Sequence, residues 1–213
     1  MTAALHIQGL KKSFGGLPAT NDVSLEVMPG ERRLIIGPNG AGKTTLFNLI
    51  TGDLKRDAGT IKMFGEEVQR LRPHQRAHRG LARTYQIITL FAGATLEHNV
   101  ALSLLGLHAA RWNMFAALAG YGHLYDEARG VLPKVLLLDE PFAGLSREER
   151  AAVGQLIAGI PRETTLIMIE HDMDVALDLA ERITVLHYGS VIVEGTRAEV
   201  VAHPKTREVY LGD

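Results

Sequence analysis

A glycine-rich segment in the first quarter of the chain has the residue types and spacing of a phosphate-binding loop. Residues 37–45 read GPNGAGKTT and fit the pattern G-x-x-x-x-G-K-[ST]. Glycines allow the backbone to curl so that successive N–H groups face one anion, and the N-terminus of a following helix attracts the same anion. The residues expected to bind nucleotide are Gly37, Pro38, Asn39, Gly40, Ala41, Gly42, Lys43, Thr44 and Thr45.

Two side chains of this loop have separate expected tasks. Lys43 can reach the β- and γ-phosphates, and Thr44 offers its hydroxyl to Mg²⁺. The alternative is a chance glycine-rich turn. The neighbouring sequence argues against that, because an apolar strand, Arg33–Ile36, precedes the loop and a helix, Lys43–Thr51, follows it.

An acidic pair follows a strongly apolar segment in the last third of the chain. Four apolar residues, Val135–Leu138, lead directly into Asp139 and Glu140. The carboxyl ends of strands form the ligand-binding edge of open α/β sheets. Asp139 can therefore hold Mg²⁺ through water, and Glu140 can polarise an attacking water. Alone, the pair could be only the polar end of a strand before Pro141; with a phosphate-binding loop upstream, it indicates a hydrolytic site.

Three further side chains could complete such a site, although each has an ordinary alternative. His171 follows the apolar segment Leu166–Ile169, where a neutral imidazole could contact a γ-phosphate or orient a water. It could equally be a surface histidine at a helix start. Gln86 could touch both Mg²⁺ and water, or be an ordinary loop residue. Phe14 could stack on an adenine ring or belong to the core.

Hydrophobic periodicity predicts the elements that position these residues. Alternating segments Ala4–Gln8 and Val23–Val27 and a hairpin near 60–68 make the first third partly antiparallel, with a loop marked by Gly15, Gly16 and Pro18. The last third alternates strands with helices, which indicates a parallel α/β sheet.

Helix-start signals also occur in the last third. Capping boxes open helices at Ser146 with Glu149 and at Thr196 with Glu199. The first of these helices is expected to reach about Ile160, and Pro204 can open a last short helix. In the middle of the chain, helices are expected at Thr95–Leu105, Arg111–Ala119 and Leu124–Arg129.

Composition narrows the class of protein. The 213 residues suit one domain with small lobes, and 46% hydrophobic against 22% charged residues is ordinary for a globular chain. A net charge of -1 does not favour nucleic acid as a partner. The absence of cysteine excludes disulfides and thiolate metal sites. Without an apolar run of roughly 20 residues or a signal peptide, we expect a cytoplasmic protein that reaches a membrane only by docking on another protein.

Several motifs occur together and in a familiar order. They are GPNGAGKTT at 37–45, LLLDEP at Leu136–Pro141, the Gln86 loop and EHD at Glu170–Asp172. Together they resemble the ATP-binding subunits of ABC transporters. The segments Phe14–Val27, Arg83–Val100 and Gly195–Gly212 resemble the opening, the Gln loop and the ending of the subunits that serve branched-chain amino-acid importers.

This resemblance implies a fold and a division of the chain. The fold would be α/β, a P-loop NTPase (ABC ATPase) core with a mixed sheet, an N-terminal antiparallel β-subdomain and an α-helical subdomain that is either truncated or only partly present in this sequence. Residues 1–213 would form a single ABC ATPase domain. Within it, 1–86 would carry the β-subdomain and the P-loop, 87–130 the incomplete helical subdomain, and 131–213 the remainder of the core.

The resemblance also implies roles and partners. Phe14 would stack on adenine; Thr44, Gln86 and Asp139 would surround Mg²⁺; Glu140 would be the general base and His171 the switch histidine. Residues 37–45 would wrap the triphosphate of ATP. The loop Ala143–Ser146 would meet a second ABC ATPase subunit, an identical copy or a close paralogue. The surface Gln86–Leu96 would receive membrane permease subunits, which would hold the protein at the inner face of the cell membrane without insertion.

One departure from the family pattern affects catalysis. Nothing between Gln86 and Asp139 matches the LSGGQ-like signature, whose N–H groups reach the γ-phosphate bound by the partner subunit. Either a stretch is missing from this sequence, or the polypeptide is truly shorter. The junction at Arg129–Val131 has no turn chemistry suited to a splice, which favours the first explanation.

Four functions remain open at this point. An importer motor leads. A non-transport ABC ATPase would usually show coiled coils, zinc-binding cysteines or two cassettes, and none is visible. The missing signature would suit a catalytically weak nucleotide-binding module. A P-loop kinase is the most distant, because it would not need Gln86 and His171 together.

Overall fold

A computed structural model of the protein describes residues 2–84, 133–171 and 173–211. All of them belong to one compact unit, formed by Met1–Gln86 and Pro133–Asp213. Gln86, the three helices expected between residues 95 and 129, and the expected helical subdomain lie outside the described residues. The sequence has 213 residues and is continuous through the junction at 129–131, so the segment given there is shorter than the family pattern. The preference for a stretch missing from the sequence stays a prediction.

The N-terminal part forms a four-stranded antiparallel sheet. Its strands lie in the order β2 (Leu17–Val27), β1 (Leu5–Phe14), β4 (Ala58–Met63) and β5 (Glu66–Glu67). The expected loop at residues 15–18 is narrower in the structure, since only Gly15 and Gly16 turn the chain. Pro18 belongs to β2 and pairs with Ser13. A proline is tolerated there because β2 is the edge strand, where a missing N–H costs no ladder hydrogen bond.

A six-stranded mixed sheet forms the centre of the unit. Its strands, in spatial order, are β10 (Ser190–Gly195), β9 (Arg182–His187), β3 (Arg32–Ile36), β8 (Thr165–Ile169), β7 (Val135–Asp139) and β6 (Leu81–Thr84). The pairs from β9 to β6 are parallel, and β10 pairs with β9 antiparallel. The carboxyl ends of β3, β7 and β8 therefore lie at one edge of the sheet.

Helices join these strands, and their ends follow the expected signals. They are α1 (Lys43–Thr51), α2 (Pro73–Ala77), α3 (Arg147–Ala158), α4 (Met173–Leu179), α5 (Arg197–Ala202) and α6 (Pro204–Leu211). Both predicted capping boxes are present, and Pro204 opens the last helix as expected. Helix α3 ends at Ala158, close to the expected Ile160, which precedes Pro161 and is therefore disfavoured in a helix. The buried Arg32 guanidinium binds the carbonyls at this helix end: Nη1 donates to Ile157 O at 3.2 Å and Nη2 to Ala158 O at 3.0 Å.

The central sheet separates two apolar cores. Strand β3 shows this most clearly, because Ile35 packs into one core while Leu34 and Ile36 pack into the other. This is the two-residue period of a strand buried on both faces. The first core lies against α1 and the N-terminal sheet, and the second takes side chains from α3, α4 and α5. Burying each such aliphatic side chain contributes roughly 1.5–3 kcal/mol, which holds the end of β3 firmly where the phosphate-binding loop begins.

Candidate functional site

The phosphate-binding loop begins where β3 ends and passes tightly between other backbones. A Cβ on Gly37 would lie 2.3 Å from Leu186 O, and one on Gly42 would lie 2.2 Å from Ala19 O. Gly42 also has a φ of 97°, in the region that favours glycine. Gly37 and Gly42 are thus required by close packing, and Gly42 also by its backbone conformation. Helix α1 begins immediately afterwards, at Lys43.

A cavity of about 210 Å³ opens over this loop. Seven of the nine predicted nucleotide-binding residues line it, Asn39, Gly40, Ala41, Gly42, Lys43, Thr44 and Thr45. Ala19 and Glu140 complete the lining, so one residue of the acidic pair faces the same space. The structure therefore brings together the loop and the acidic pair, which are about 100 residues apart in sequence.

Lys43 lies folded over the loop. Its side chain is buried, and Nζ donates hydrogen bonds to Gly37 O at 2.7 Å and Pro38 O at 3.1 Å. Burial lowers the pKa of Lys43, while the nearby Glu140 and Asp139 carboxylates raise it. The ammonium is thus a desolvated donor whose two carbonyl partners phosphate oxygens could replace, which suits binding of a polyphosphate.

The acidic pair lies at the carboxyl end of β7. Asp139 is the last residue of the strand, paired with Ile169 of β8, and its side chain is buried. Glu140 follows with a φ of 51°, an uncommon conformation for a residue with a side chain. Its N–H donates to Ile169 O at 3.0 Å, which holds this turn against β8. Such a strained position, next to a cavity, is a frequent property of functional residues.

The two predicted catalytic side chains that the structure describes are in contact. His171 Nε2 lies 3.1 Å from Glu140 Oε2, with the histidine half-exposed and the glutamate mostly buried. A water near Glu140 could therefore be held by a carboxylate and an imidazole together. Gln86, the third predicted catalytic residue, lies outside the described residues.

Sequence reasoning missed Glu170, which directly follows the end of β8. Its carboxylate is buried and accepts hydrogen bonds from Phe142 N–H at 2.8 Å and from His171 N–H at 3.1 Å. It therefore fastens the segment after Glu140 to the start of the histidine segment. The available signal was an acidic residue directly after a fully apolar strand, where a carboxylate stays buried only if N–H groups surround it.

Arg83 was also missed. Its Nη2 lies 2.6 Å from Asp139 Oδ2, and its Nη1 donates to Asn48 Oδ1 at 2.6 Å. Phe14, by contrast, is half-exposed at the end of β1, with Lys12 Nζ 5.6 Å from the centre of its ring. It is not among the residues that line the cavity. Its assignment to adenine stacking stays a prediction.

The described residues fit a nucleotide better than a metal ion by itself. They contain no group of three or more histidine, cysteine, aspartate or glutamate residues arranged to hold an ion. Thr44 and Asp139 supply the oxygen donors that Mg²⁺ prefers, and Mg²⁺ in nucleotide sites commonly takes one or two protein oxygens together with phosphates and waters. These two residues are therefore suited to a Mg²⁺ ion that binds together with a polyphosphate.

The fold and the site define a P-loop nucleotide-binding protein of the α/β class, with its cavity at the carboxyl ends of a mostly parallel sheet. Comparison with known proteins then gives the family. The ABC transporter family model matches residues 20–131, just over half of the chain. The chain is 34% identical, over 98% of both chains, to the high-affinity branched-chain amino acid transport ATP-binding proteins BraF of Pseudomonas aeruginosa and LivG of Escherichia coli K12. It therefore belongs to the ABC transporter family, whose ATP-binding proteins are ATPases coupled to transport.

A solved structure supports the same assignment. A nucleotide-free ATP-binding cassette from an ABC transporter superposes with a TM-score of 0.78 at 27% identity, and the match covers all of both chains. The predicted α/β P-loop fold with a mixed sheet and an N-terminal antiparallel sheet is confirmed. Across the described helices, none combines the length and the apolar character needed to cross a membrane.

The alignment with BraF also bears on the missing signature. It spans 249 positions, although 98% of this chain is only about 209 residues. About 40 aligned positions therefore have no residue of this chain opposite them. This agrees with a polypeptide that is shorter than its relatives.

Proposed function

We propose that this chain is the ATP-binding and ATP-hydrolysing subunit that powers an importer of branched-chain amino acids or a similar small polar solute. The cavity that the P-loop shares with Glu140, itself in contact with His171, is the observation that carries the ATPase assignment. The solute is inferred from BraF and LivG, whose names specify branched-chain amino acid transport.

Each described residue would have a separate task in hydrolysis. Lys43 and the loop N–H groups would hold the phosphates, because a buried ammonium and converging amides favour an anion. Glu140 would accept a hydrogen bond from the attacking water, and His171, 3.1 Å away, would orient that water. Phosphoryl transfer needs little more than such positioning and charge stabilisation.

Mg²⁺ would be held by Thr44, Asp139 and Gln86, and would supply charge stabilisation on the phosphate oxygens. Thr44 lines the cavity, and Asp139 ends the strand from which Glu140 continues. The ion is expected because the protein donors are hard oxygen atoms beside a phosphate-binding loop.

The partner subunit would be a paralogue that carries a signature motif. Two copies of this chain would present no LSGGQ-like segment to either nucleotide, since none occurs between Gln86 and Asp139. With a signature-bearing paralogue, the nucleotide on this chain would receive the missing N–H donors across the interface. Membrane permease subunits would hold this pair at the cytoplasmic face of the membrane.

The same missing signature favours a second candidate, a nucleotide-binding module with little turnover. The two candidates differ in whether a partner restores hydrolysis. ATP turnover should therefore be measured for this chain alone and together with a signature-bearing paralogue from the same transporter. We expect negligible turnover alone and clear turnover for the mixture.

The matched control replaces the proposed base in this chain. Glu140→Gln should keep the dissociation constant for ATP within about twofold of the wild-type value. It should lower the turnover of the mixture by about 10²–10⁴-fold, the usual contribution of a general base. Turnover near the wild-type rate would show that Glu140 is not the base. If this chain binds ATP but no mixture hydrolyses it, the chain is the nucleotide-binding module with little turnover.

A further inference from the structure

Arg83 connects three parts of the site through one buried guanidinium. It is the third residue of β6, and its side chain is 5% exposed. Nη1 donates to Asn48 Oδ1 of α1 at 2.6 Å, and Nη2 pairs with Asp139 Oδ2 of β7 at 2.6 Å. Asp53, after α1, has Oδ2 3.7 Å from Nη1.

The geometry of this contact restricts the Asp139 carboxylate. Different nitrogens of one rigid plane bind Asn48 and Asp139, so the carboxylate cannot rotate without breaking a charge-assisted hydrogen bond. The guanidinium also lies 5.5 Å from the centre of the Phe47 ring, which limits its own movement. Asp139 is itself buried, so water cannot readily replace this partner.

We propose that Arg83 is a positioning residue for Mg²⁺ in the nucleotide site. It holds one oxygen of Asp139 and directs the carboxylate relative to α1, the helix that begins with Lys43 and Thr44. This inference rests on the proposed function, in which Asp139 helps to bind Mg²⁺. Partners that fix a metal-ligating carboxylate typically contribute 10–100-fold to metal affinity.

A purely structural ion pair would change the binding constants in a different way. The phosphates are held by the P-loop, in which Arg83 takes no part, so ATP binding without metal should not depend on Arg83. A positioning role affects only the additional affinity that Mg²⁺ provides. A structural role would lower both affinities together with the stability of the fold.

The test measures binding of a fluorescent ATP analogue to the full chain, in EDTA and across a Mg²⁺ titration. Arg83→Met should leave the dissociation constant in EDTA within about twofold and raise the half-saturating Mg²⁺ concentration about 10–100-fold. Arg83→Lys keeps the charge but not the two-point contact, and should lie between wild type and Arg83→Met. Asn48→Ala removes only the second anchor and should give a smaller rise.

Arg79→Lys is the matched control, because Arg79 pairs with Glu66 on the surface nearby and should change neither constant. If Arg83→Met does not fold, Arg83→Lys and Asn48→Ala decide the question. Unchanged or tighter Mg²⁺ dependence in the folded variants would overturn the proposal, as would an equal loss with and without Mg²⁺. Failure of the wild-type chain to bind the analogue at all would instead overturn the proposed function.

Discussion

Two glycines of the phosphate-binding loop have left-handed backbones but very different surroundings. Gly40 has a φ of 79°, and a side-chain carbon added there would meet nothing within 4 Å. Gly42 has a φ of 97°, and the same added carbon would lie 2.2 Å from Ala19 O. An alanine at either position costs roughly 1–2 kcal/mol for the left-handed backbone. At residue 42 it would also force β2 and the loop apart.

We therefore expect Gly42→Ala to destabilise the protein clearly more than Gly40→Ala. The loss for Gly40→Ala should be about 1–2 kcal/mol, and that for Gly42→Ala should exceed it by at least about 1 kcal/mol because overpacking against backbone adds its own cost. Urea unfolding of the two variants measures this difference directly. Equal midpoints and slopes for the two variants would contradict the close approach to Ala19.

The sequence predicted the residues of the site unevenly, for a physical reason. The loop at 37–45 and the pair Asp139 and Glu140 follow from patterns in which one chain segment carries the chemistry. Arg83 and Glu170 act through partners that are close only after folding, such as Asn48 and Phe142. A single charged residue has no periodicity, so its burial and its partners cannot be deduced from its neighbours in sequence.

A capping box opens α3, the helix whose Ile157 packs into the second core. Ser146 Oγ accepts from Glu149 N–H at 3.3 Å, and Glu149 Oε2 accepts from Ser146 N–H at 2.8 Å. The helix follows directly on the loop 143–146, which the resemblance assigns to contact with the partner subunit. Ser146 is thus both the last residue of that loop and the N-cap of α3.

Removing the capping hydroxyl should weaken this start of the helix. Ser146→Ala should destabilise the protein by about 0.5–2 kcal/mol, because a helix N–H loses its acceptor. Ser146→Thr keeps a hydroxyl and serves as the control, with a much smaller loss. Chemical denaturation measures both, and equal losses would show that the hydroxyl does not contribute.

The acidic member of the box gives this contribution a pH dependence. Hydrogen bonds from the Ser146 backbone and side chain hold the pKa of Glu149 below its usual value. Because the native pKa is the lower one, the stabilisation is complete above the ordinary glutamate pKa of about 4.3 and is lost as the pH falls through the native value. Glu149→Gln should therefore be less stable than wild type at pH 7, and the difference should vanish in acid. Denaturant unfolding of both proteins across this pH range measures the difference.

At the level of elements, the sequence was most accurate where a local rule acts alone. The capping boxes and the helix opened by Pro204 were confirmed because caps depend on neighbouring residues. The assignment of Pro18 to a loop was wrong because a distant feature decides it: β2 is an edge strand, where a proline costs no ladder hydrogen bond.

For the molecule as a whole, the site depends on a core that holds distant segments together. Strand β3 carries the P-loop and lies between β8 and β9, while β7 carries the acidic pair and adjoins β8. The strand ends that carry the P-loop and the acidic pair are thus separated by one strand, whose own end carries His171. In the proposed function, this arrangement would be one half of a composite ATPase site.

In the proposed function the other half would come from another subunit, and this predicts how the chain assembles. In a pair of identical copies, each γ-phosphate would lack the signature N–H groups that stabilise the closed dimer. Glu140→Gln should slow hydrolysis and so preserve any ATP-dependent dimer. With Mg²⁺ and ATP, we expect this variant to stay monomeric alone and to form a one-to-one complex with a signature-bearing paralogue.

Light scattering coupled to size-exclusion chromatography measures these masses, with ADP in place of ATP as the control for each mixture. The complex should form with ATP and not with ADP, because only ATP carries the γ-phosphate that the signature contacts. A stable ATP-dependent dimer of this chain alone would mean that another segment reaches the γ-phosphate across the interface. The similarity to BraF and LivG, at 34% identity, would then extend to the nucleotide-binding residues of this chain but not to the way in which its dimer closes.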